Sequence, residues 1–498
     1  MIKHFKFIAL ALALLMILAC FASCVQLEDD FEIEGPGDGD QAEKVPESVD
    51  KKDYGSQFFL SVLTDVNPLK YYWVEKSEGD AMSEAIYARQ EKVYNYLGVE
   101  IVATSAGRYD TYVDPFRDAV LKRDGSVDCL ISHVQTGVAG FVKDMYLRDF
   151  NELPGVDLDQ DYWNEDFMNM LAIDGSYYLG FSNFNILYTN VIAFNKDMLD
   201  QYAGSMEKTL YQMVEDYEWT LDEMLALAQL VSTDKTGDGK TDDDVYGLTG
   251  QQWVPWINFF HASNINLVEA NESGKYEIAF MNSVNAERTN ILVKKLKEFS
   301  SSEYAYLEYP KFTSAGSSIA SPKVPLTSGR ALMQLSSTYS LEGFLKYDVD
   351  FGVVPYPMFD TNQKNVGYRS LQWGGYLCVP SYVDNDVKVG ETLEVLSFYS
   401  DDVMVTFYEK MLGKQVADVP EDAKMLEEYI WATVTSDFGQ TYGDAASGCL
   451  YFLPYVTRDT ADGGKEMMSY YNSFYKTTNK SIDDFIKQVT LNKAKLGK

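Results

Sequence analysis

The chain has 498 residues, 75 of them acidic and 42 basic, giving a formal net charge of −33 at pH 7. So negative a balance repels nucleic-acid phosphates and anionic lipid headgroups, which excludes nucleic acid as a partner. A hydrophobic share of 46%, with 36 Tyr, is enough for a large core, and the length suggests more than one domain.

Lys3 and Lys6 precede an unbroken apolar run, Ile8 to Ala19. The run is too short to span a bilayer comfortably, and small residues follow it. Residues 1–23 therefore read as a cleaved export signal. A cysteine just after small residues resembles the bacterial lipobox, in which the cysteine sulfur takes a diacylglycerol. Cys24, after Ala22-Ser23, and Cys20, after Ala19, are both candidates. The resemblance implies an exported protein held by lipid on the outer face of the bacterial cytoplasmic membrane. Residues 24–54 are acidic, contain Gly and Pro, and hold little apolar surface, as expected of a flexible tether.

Strand and helix patterns then alternate. Phe58–Thr64 reads as a buried strand, Ser83–Leu97 as a helix, Val99–Ala103 as a strand, Val113–Lys122 as a helix and Val127–Val134 as a strand. This is an α/β pattern with a largely parallel sheet. Ligands of such sheets bind beyond the carboxyl ends of the strands, which places Thr64, Asp65 and His133-Val134-Gln135 beside a cleft. Thr220 and Glu223 form an expected capping box ahead of another helix. Ala286–Phe299 and Gly390–Ser400 read as helices; Phe351–Val354 and Gly374–Val379 read as strands.

With Cys20 and Cys24 assigned to the signal, Cys129, Cys378 and Cys449 remain. Cys129 and Cys378 sit in apolar strand-like runs and read as small buried hydrophobes, not as a disulfide framework. The loop Asp234–Val245 (DKTGDGKTDDDV) resembles an EF-hand. Asp234, Thr236, Asp238 and Asp242 fall at ligand positions and Gly239 at the sharp turn, while Val245 stands where a bidentate Glu is needed. A structural Ca²⁺ site and a solvated turn are the two readings, and no cofactor is required by either.

Catalytic signatures are sparse. His133 and His261 are the histidines left after processing and form no H-E-x-x-H pair, and no G-x-S-x-G elbow occurs. Gly239-Lys240-Thr241 imitates the end of a P-loop in a loop whose negative charge repels phosphate. The chain is expected not to be an enzyme. A surface glycoside-active enzyme, which needs only two suitably spaced carboxylates, and a scaffold or adhesin lipoprotein are the alternatives.

The order of several segments resembles the extracellular solute-binding proteins, family 1, of ABC transporters. DGSYYLG (174–180) is followed by LYTNVIAFNKDML (187–199), then WTLDEMLALAQLVSTDKTGDGKTDDDVYGL (219–248), SGRALMQLSSTYSLEGF (328–344), DFGVVPYP (350–357) and WGGYLCVP (373–380). The resemblance implies an α/β, two-lobed, type II periplasmic-binding-protein-like fold. Lobe 1 would be 55–182 with 354–425, and lobe 2 would be 183–353 with 426–498. The crossings would lie near Phe181–Asn185 and Val353–Pro357, with a ligand cleft between the lobes. It further implies a monomer that captures a small polar solute, a sugar or oligosaccharide, and delivers it to ABC permease subunits.

Sugars present apolar faces and a rim of hydroxyls, which aromatic rings and amides complement. Trp253 and Trp256, flanked by Gln251 and Gln252, form one candidate platform, with inter-lobe or core packing as the alternative. Arg369, Trp373 and Tyr376 around the glycine pair Gly374-Gly375 form a second, where the family's chain returns to lobe 1. Tyr339 stands where the family often places a stacking aromatic, and Tyr188 and Asn190 follow the first crossing. Gln135 and Asp65 complete the candidate set.

Overall fold

The computed structural model describes residues 45–496 apart from 65–66, 187, 202–203, 205, 232, 310, 314–315, 319–321, 409–419 and 460–462, and the backbone alone at 311–313 and 316–318. Cys20, Cys24, the leader and Asp65 lie outside the described residues.

Lobe 1 is built on β1 (Ser56–Leu63), α1 (Ala81–Leu97), β2 (Val99–Gly107), α2 (Val113–Lys122) and β3 (Cys129–Ile131). β1 is parallel to both β2 and β3, and its Phe58, Leu60, Val62 and Leu63 are fully buried. Asp80 caps α1 by accepting from the Met82 and Ser83 N–H groups, and Gly98, at φ 61°, ends it. β3 is shorter than its apolar run. His133 Nδ1 accepts from the backbone N–H of Gln135 and Thr136 and turns the chain out of the sheet.

Lobe 2 is built on β4 (Asn190–Asn195), α3 (Leu221–Gln229), β5 (Tyr246–Gln251), α4 (Val254–Ala262), α5 (Ala286–Ser300), β6 (Ala305–Glu308), β7 (Ala331–Ser337), α6 (Thr338–Phe344) and β8 (Phe351–Val354). Its sheet runs β8-β4-β7-β5-β6, with β7 parallel to β5 and antiparallel to β4. Thr220 caps α3 by accepting from Glu223 N–H, which is half of the expected box.

Three boundaries differ from the expectation. The return to lobe 1 comes at β9 (Ser370–Leu371) and β10 (Leu377–Cys378), not at Val354. Trp219 holds the intervening segment on lobe 2: its indole N–H donates to the Pro355 carbonyl, and Met358 exchanges backbone hydrogen bonds with Trp219 and Leu221. β10 then joins the lobe 1 sheet against β3, and α7 (Asp386–Phe398) packs there, with Lys388 bonded to Asp128 and the Gln57 carbonyl. Residues 420–425 belong to lobe 2 rather than lobe 1. Buried Asp422 accepts from Lys196, Tyr211 and Val353 N–H, and Leu426 and Ile430 pack with Val191 and Val353. The strand β11 (Val434–Thr435) pairs with β9 between the lobes.

The C-terminal helix α8 (Met467–Lys495) straddles both lobes. Asn479 accepts from Ile278 N–H, while Asn492 donates to the Lys143 carbonyl and Lys493 approaches Asp149. The tether also ends sooner than expected. Val49 is buried, Tyr96 donates to its carbonyl, and Ser48, Lys52 and Tyr54 donate to Glu394 or Glu391 on α7. Cys129, Cys378 and Cys449 are free and buried, as small hydrophobes should be. Among the described residues, no helix is long and apolar enough to cross a membrane.

Candidate ligand-binding cleft

Strand direction defines one functional edge on each lobe. In lobe 2, Asn190 at the start of β4 pairs with Ser337 at the end of the antiparallel β7, and the parallel β5 ends at Gln251. In lobe 1 the carboxyl ends of β1, β2 and β3 lie together and lead into Thr64, Tyr109 and His133–Gln135. The two edges touch. Gln135 Nε2 donates to Tyr451 OH at 3.3 Å, and Tyr71 OH donates to Glu342 Oε2 at 3.0 Å. The crossing segments close the back: Thr189 bridges Gln372, Trp373 N–H donates to the Tyr188 carbonyl, and Gln372 N–H to the Thr435 carbonyl.

Two aromatic groups flank this back wall. Tyr188 stacks on Tyr339 at 4.4 Å, and Tyr71 of lobe 1 lies 6.0 Å from Tyr339 on the other side. At the other group Trp253 stacks on Tyr451 at 4.1 Å, and His133 lies tilted against Tyr109. Burial lowers the His133 pKa to about 4, so the ring is neutral at pH 7, and acceptance at Nδ1 leaves the proton on Nε2.

Several buried polar atoms of the crossings and strands have no protein partner among the described residues: both amide atoms of Asn190, Gln372 Nε2, Trp373 Nε1, Tyr339 OH and Gln135 Oε1, with Thr249 Oγ1 further along β5. Leaving such a group unmade costs about 1–3 kcal/mol, so native proteins keep few of them. A set of donors and acceptors beside aromatic faces suits a hydroxyl-rich solute.

Of the expected residues, Tyr188, Tyr339 and Trp373 meet at one group, Asn190 begins β4 beside Tyr188, and Gln135 and Trp253 meet through Tyr451 at the other. Trp256 and Tyr376 do not join them. Trp256 is fully buried and donates to Thr457 Oγ1, and Tyr376 OH is held by Ser436 and Thr441. Arg369 is turned to Asn264 and Asn266 behind the crossing. The sequence reading missed Tyr71, Tyr451, Thr249 and Gln372. The cluster Tyr71-Tyr72-Trp73 just after β1 was a usable signal for the first; the others carry none.

Behind β9, His261 and Asp437 are both fully buried, 3.9 Å apart. Burial drives the His261 pKa well below its usual value, and Arg369 adds to this, so the pair is not an ion pair. Burial raises Asp437 to about 6, against hydrogen bonds from the Leu267, Gln440 and Gly439 N–H groups and the Arg369 charge, which lower it. A raised carboxyl pKa favours the folded state fully below the unfolded value of 3.8, and that contribution is lost as pH rises through about 6. Relative to Asp437→Asn, the parent chain should lose about 2 kcal/mol between pH 4 and pH 7. Urea titrations of both proteins across that range check this; parallel curves would refute it.

A cavity of about 370 Å³ lies at the opposite end of β4, lined by Phe194, Lys196, Leu210 and Asp350 among others, away from the cleft. In the acidic loop, carboxylate oxygens of Asp234, Asp238 and Asp244 come within 4.8 Å of one another. Asp244 replaces the expected Asp242, which bonds Tyr306 instead. Asp234 already accepts from the Thr236, Gly237 and Gly239 N–H groups, and Asp244 from those of Lys235 and Thr241.

No protein-family model matches the chain, and no curated protein matches it. Solved structures do. The chain has the two-lobed α/β fold of the solute-binding proteins of ABC transporters. It is similar to the cyclic α-maltosyl-1,6-maltose binding protein of Arthrobacter globiformis, at a TM-score of 0.55 and 14% identity, covering 86% of this chain and 99% of that one. It is also similar to an ABC substrate-binding protein of Listeria monocytogenes in complex with cycloalternan, at 0.52 and 13%, covering 88% and 99%. The maltose/maltodextrin-binding domain of Bdellovibrio bacteriovorus, bound to maltotriose, gives 0.52 and 14%, covering 86% and 100%.

Proposed function

We propose that this chain is an exported, lipid-anchored binding protein that captures a carbohydrate and delivers it to an ABC importer. The observation that carries the reading is the set of buried polar atoms on Asn190, Gln372 and Trp373 that have no protein partner among the described residues, together with the aromatic rings that both lobes bring to the crossings. Binding works by closure. A solute that bonds both lobes and the crossing segments favours the closed state by its differential affinity for that state. No bond chemistry is needed, and the neighbouring structures are binding proteins. Cys24 or Cys20 would carry the lipid, and the body would act as a monomer.

A thermal-shift screen against a sugar panel tests this. A hit should raise Tm without turnover, and Trp253→Ala should weaken it by about 1–3 kcal/mol. Product release from a glycan would make the protein an enzyme instead. No hit across neutral and acidic sugars would remove the carbohydrate reading. The acidic loop is proposed as a turn held by its own hydrogen bonds, with no ion required. Exchanging Ca²⁺ for a chelator should then leave Tm within about 1 °C, and a rise of several degrees would instead establish a metal site.

A further inference from the structure

Lobe 1 reaches toward lobe 2 through the turn Leu69–Tyr71, beyond β1. The turn is fixed from behind. Buried Arg89 on α1 donates to the Tyr72 carbonyl at 2.7 Å, and the Trp73 indole N–H donates to the Ile101 carbonyl on β2 at 2.8 Å. Lobe 2 meets the turn with α6. The first turn of α6 is pinned to the crossing, where Thr338 N–H donates to the Thr189 carbonyl and Tyr339 stacks on Tyr188. Glu342 lies one turn further along, on the same face as Tyr339.

Three side chains lock these elements together. Tyr71 lays its ring on Tyr339 at 6.0 Å and donates its hydroxyl to Glu342 Oε2 at 3.0 Å. Lys70 Nζ lies 3.6 Å from the same oxygen and 4.8 Å from the Tyr71 ring centre. Phe407, beyond α7, meets both tyrosine rings edge on, at 5.2 and 6.2 Å. Burial and the Glu342 charge raise the Tyr71 pKa, so the phenol keeps the proton it donates. The Tyr71–Tyr339, Tyr71–Glu342 and Lys70–Glu342 contacts all join lobe to lobe, and none of them needs a solute. A hydrogen bond to a carboxylate is worth about tenfold in an equilibrium constant, and less where the carboxylate is partly exposed. The Glu342 side chain is 40% exposed.

We infer that Lys70, Tyr71 and Glu342 form a latch that draws the lobes together. Glu342 is then a positioning residue, which adds to the affinity of every solute by favouring closure and does not touch the solute. This rests on the closure reading above and specifies it, since apparent affinity scales with the population of the binding-competent state. Hydrogen exchange of the full-length protein in detergent, without sugar, tests the latch itself. Glu342→Ala should speed exchange of the amides at 69–73 on lobe 1 by about threefold or more, and Tyr71→Phe should do the same at 338–344 on lobe 2. The double variant should exchange no faster than Glu342→Ala alone, because both changes break one bond. Glu342→Gln keeps an acceptor for the Tyr71 hydroxyl and should recover most of the protection. Calorimetry with maltotriose, cellotriose and any other panel sugar that binds the parent tests the consequence. Glu342→Ala should weaken them all by one common factor, between about two and ten. Exchange that quickens only in the mutated lobe, or affinity that does not fall, overturns the latch. A loss that differs more than about threefold between sugars puts Glu342 on the solute and overturns the positioning role. If no sugar binds the parent while exchange behaves as stated, the carbohydrate reading falls and the latch stands.

Discussion

Glu394→Ala is expected to destabilise the protein by about 3–5 kcal/mol, measured as a fall in the urea midpoint at constant slope. Glu394 is fully buried on α7. It accepts from Ser48 Oγ at 2.6 Å, Tyr162 OH at 2.6 Å, Trp163 Nε1 at 2.7 Å and Asp157 N–H at 3.2 Å. None of these donors is charged, so the carboxylate is held by hydrogen bonds alone. Removing it strands the buried Tyr162 hydroxyl and Trp163 indole donors and opens a cavity, while Ser48 and Asp157 can turn to water. The strap 46–54 should loosen as well, because Ser48 loses its acceptor while Lys52 and Tyr54 keep Glu391. Faster proteolytic clipping before Gly55 would show this. A loss under about 1 kcal/mol would mean that water replaces the carboxylate without penalty.

Where a pattern is decided locally, the sequence reading matches the structure. The bounds of α2 and β8 agree to the residue, since apolar spacing alone sets them. The misses are decided by partners far along the chain. Trp253 and Trp256 look alike in sequence. α4 begins at Val254, which leaves Trp253 at the cleft edge, while Trp256 one turn in meets Thr457 in the core. The second crossing was placed about fifteen residues early because nothing near Pro355 announces that Trp219 will hold it. Tyr451 offered no signal either, since its role depends on Gln135 reaching it from the other lobe. The fold class and most of the cleft were legible because strand ends set the cleft by topology, whereas individual rings are chosen by tertiary packing.

The glycine pair after Trp373 joins stability to binding, and Gly375→Ala should cost about 3 kcal/mol or more. A Cβ on Gly375 would lie 2.0 Å from the Ser132 carbonyl oxygen and 3.0 Å from Asn67 Nδ2. Neither obstacle can move easily. Ser132 belongs to the β3 exit, and Asn67 is fully buried, donating to Leu63 and Ser132 carbonyls while accepting from Gly375 N–H. Asn185 from the other crossing donates to the Gly375 carbonyl, so the clash would spread through both crossings. Gly374→Ala should cost less, since its nearest obstacle is the end of the Gln372 side chain at 2.6 Å. Gly140→Ala, in the helix Val138–Lys143 with nothing within 4 Å, should stabilise by about 0.5–1 kcal/mol. Because Trp373 lies two residues before Gly375, the first variant should also lose solute affinity in whatever fraction remains folded. The Gly140 variant should bind as the parent does. If Gly375→Ala folded and bound normally, the close approach of the crossing to β3 would not be what holds Trp373 at the back of the cleft.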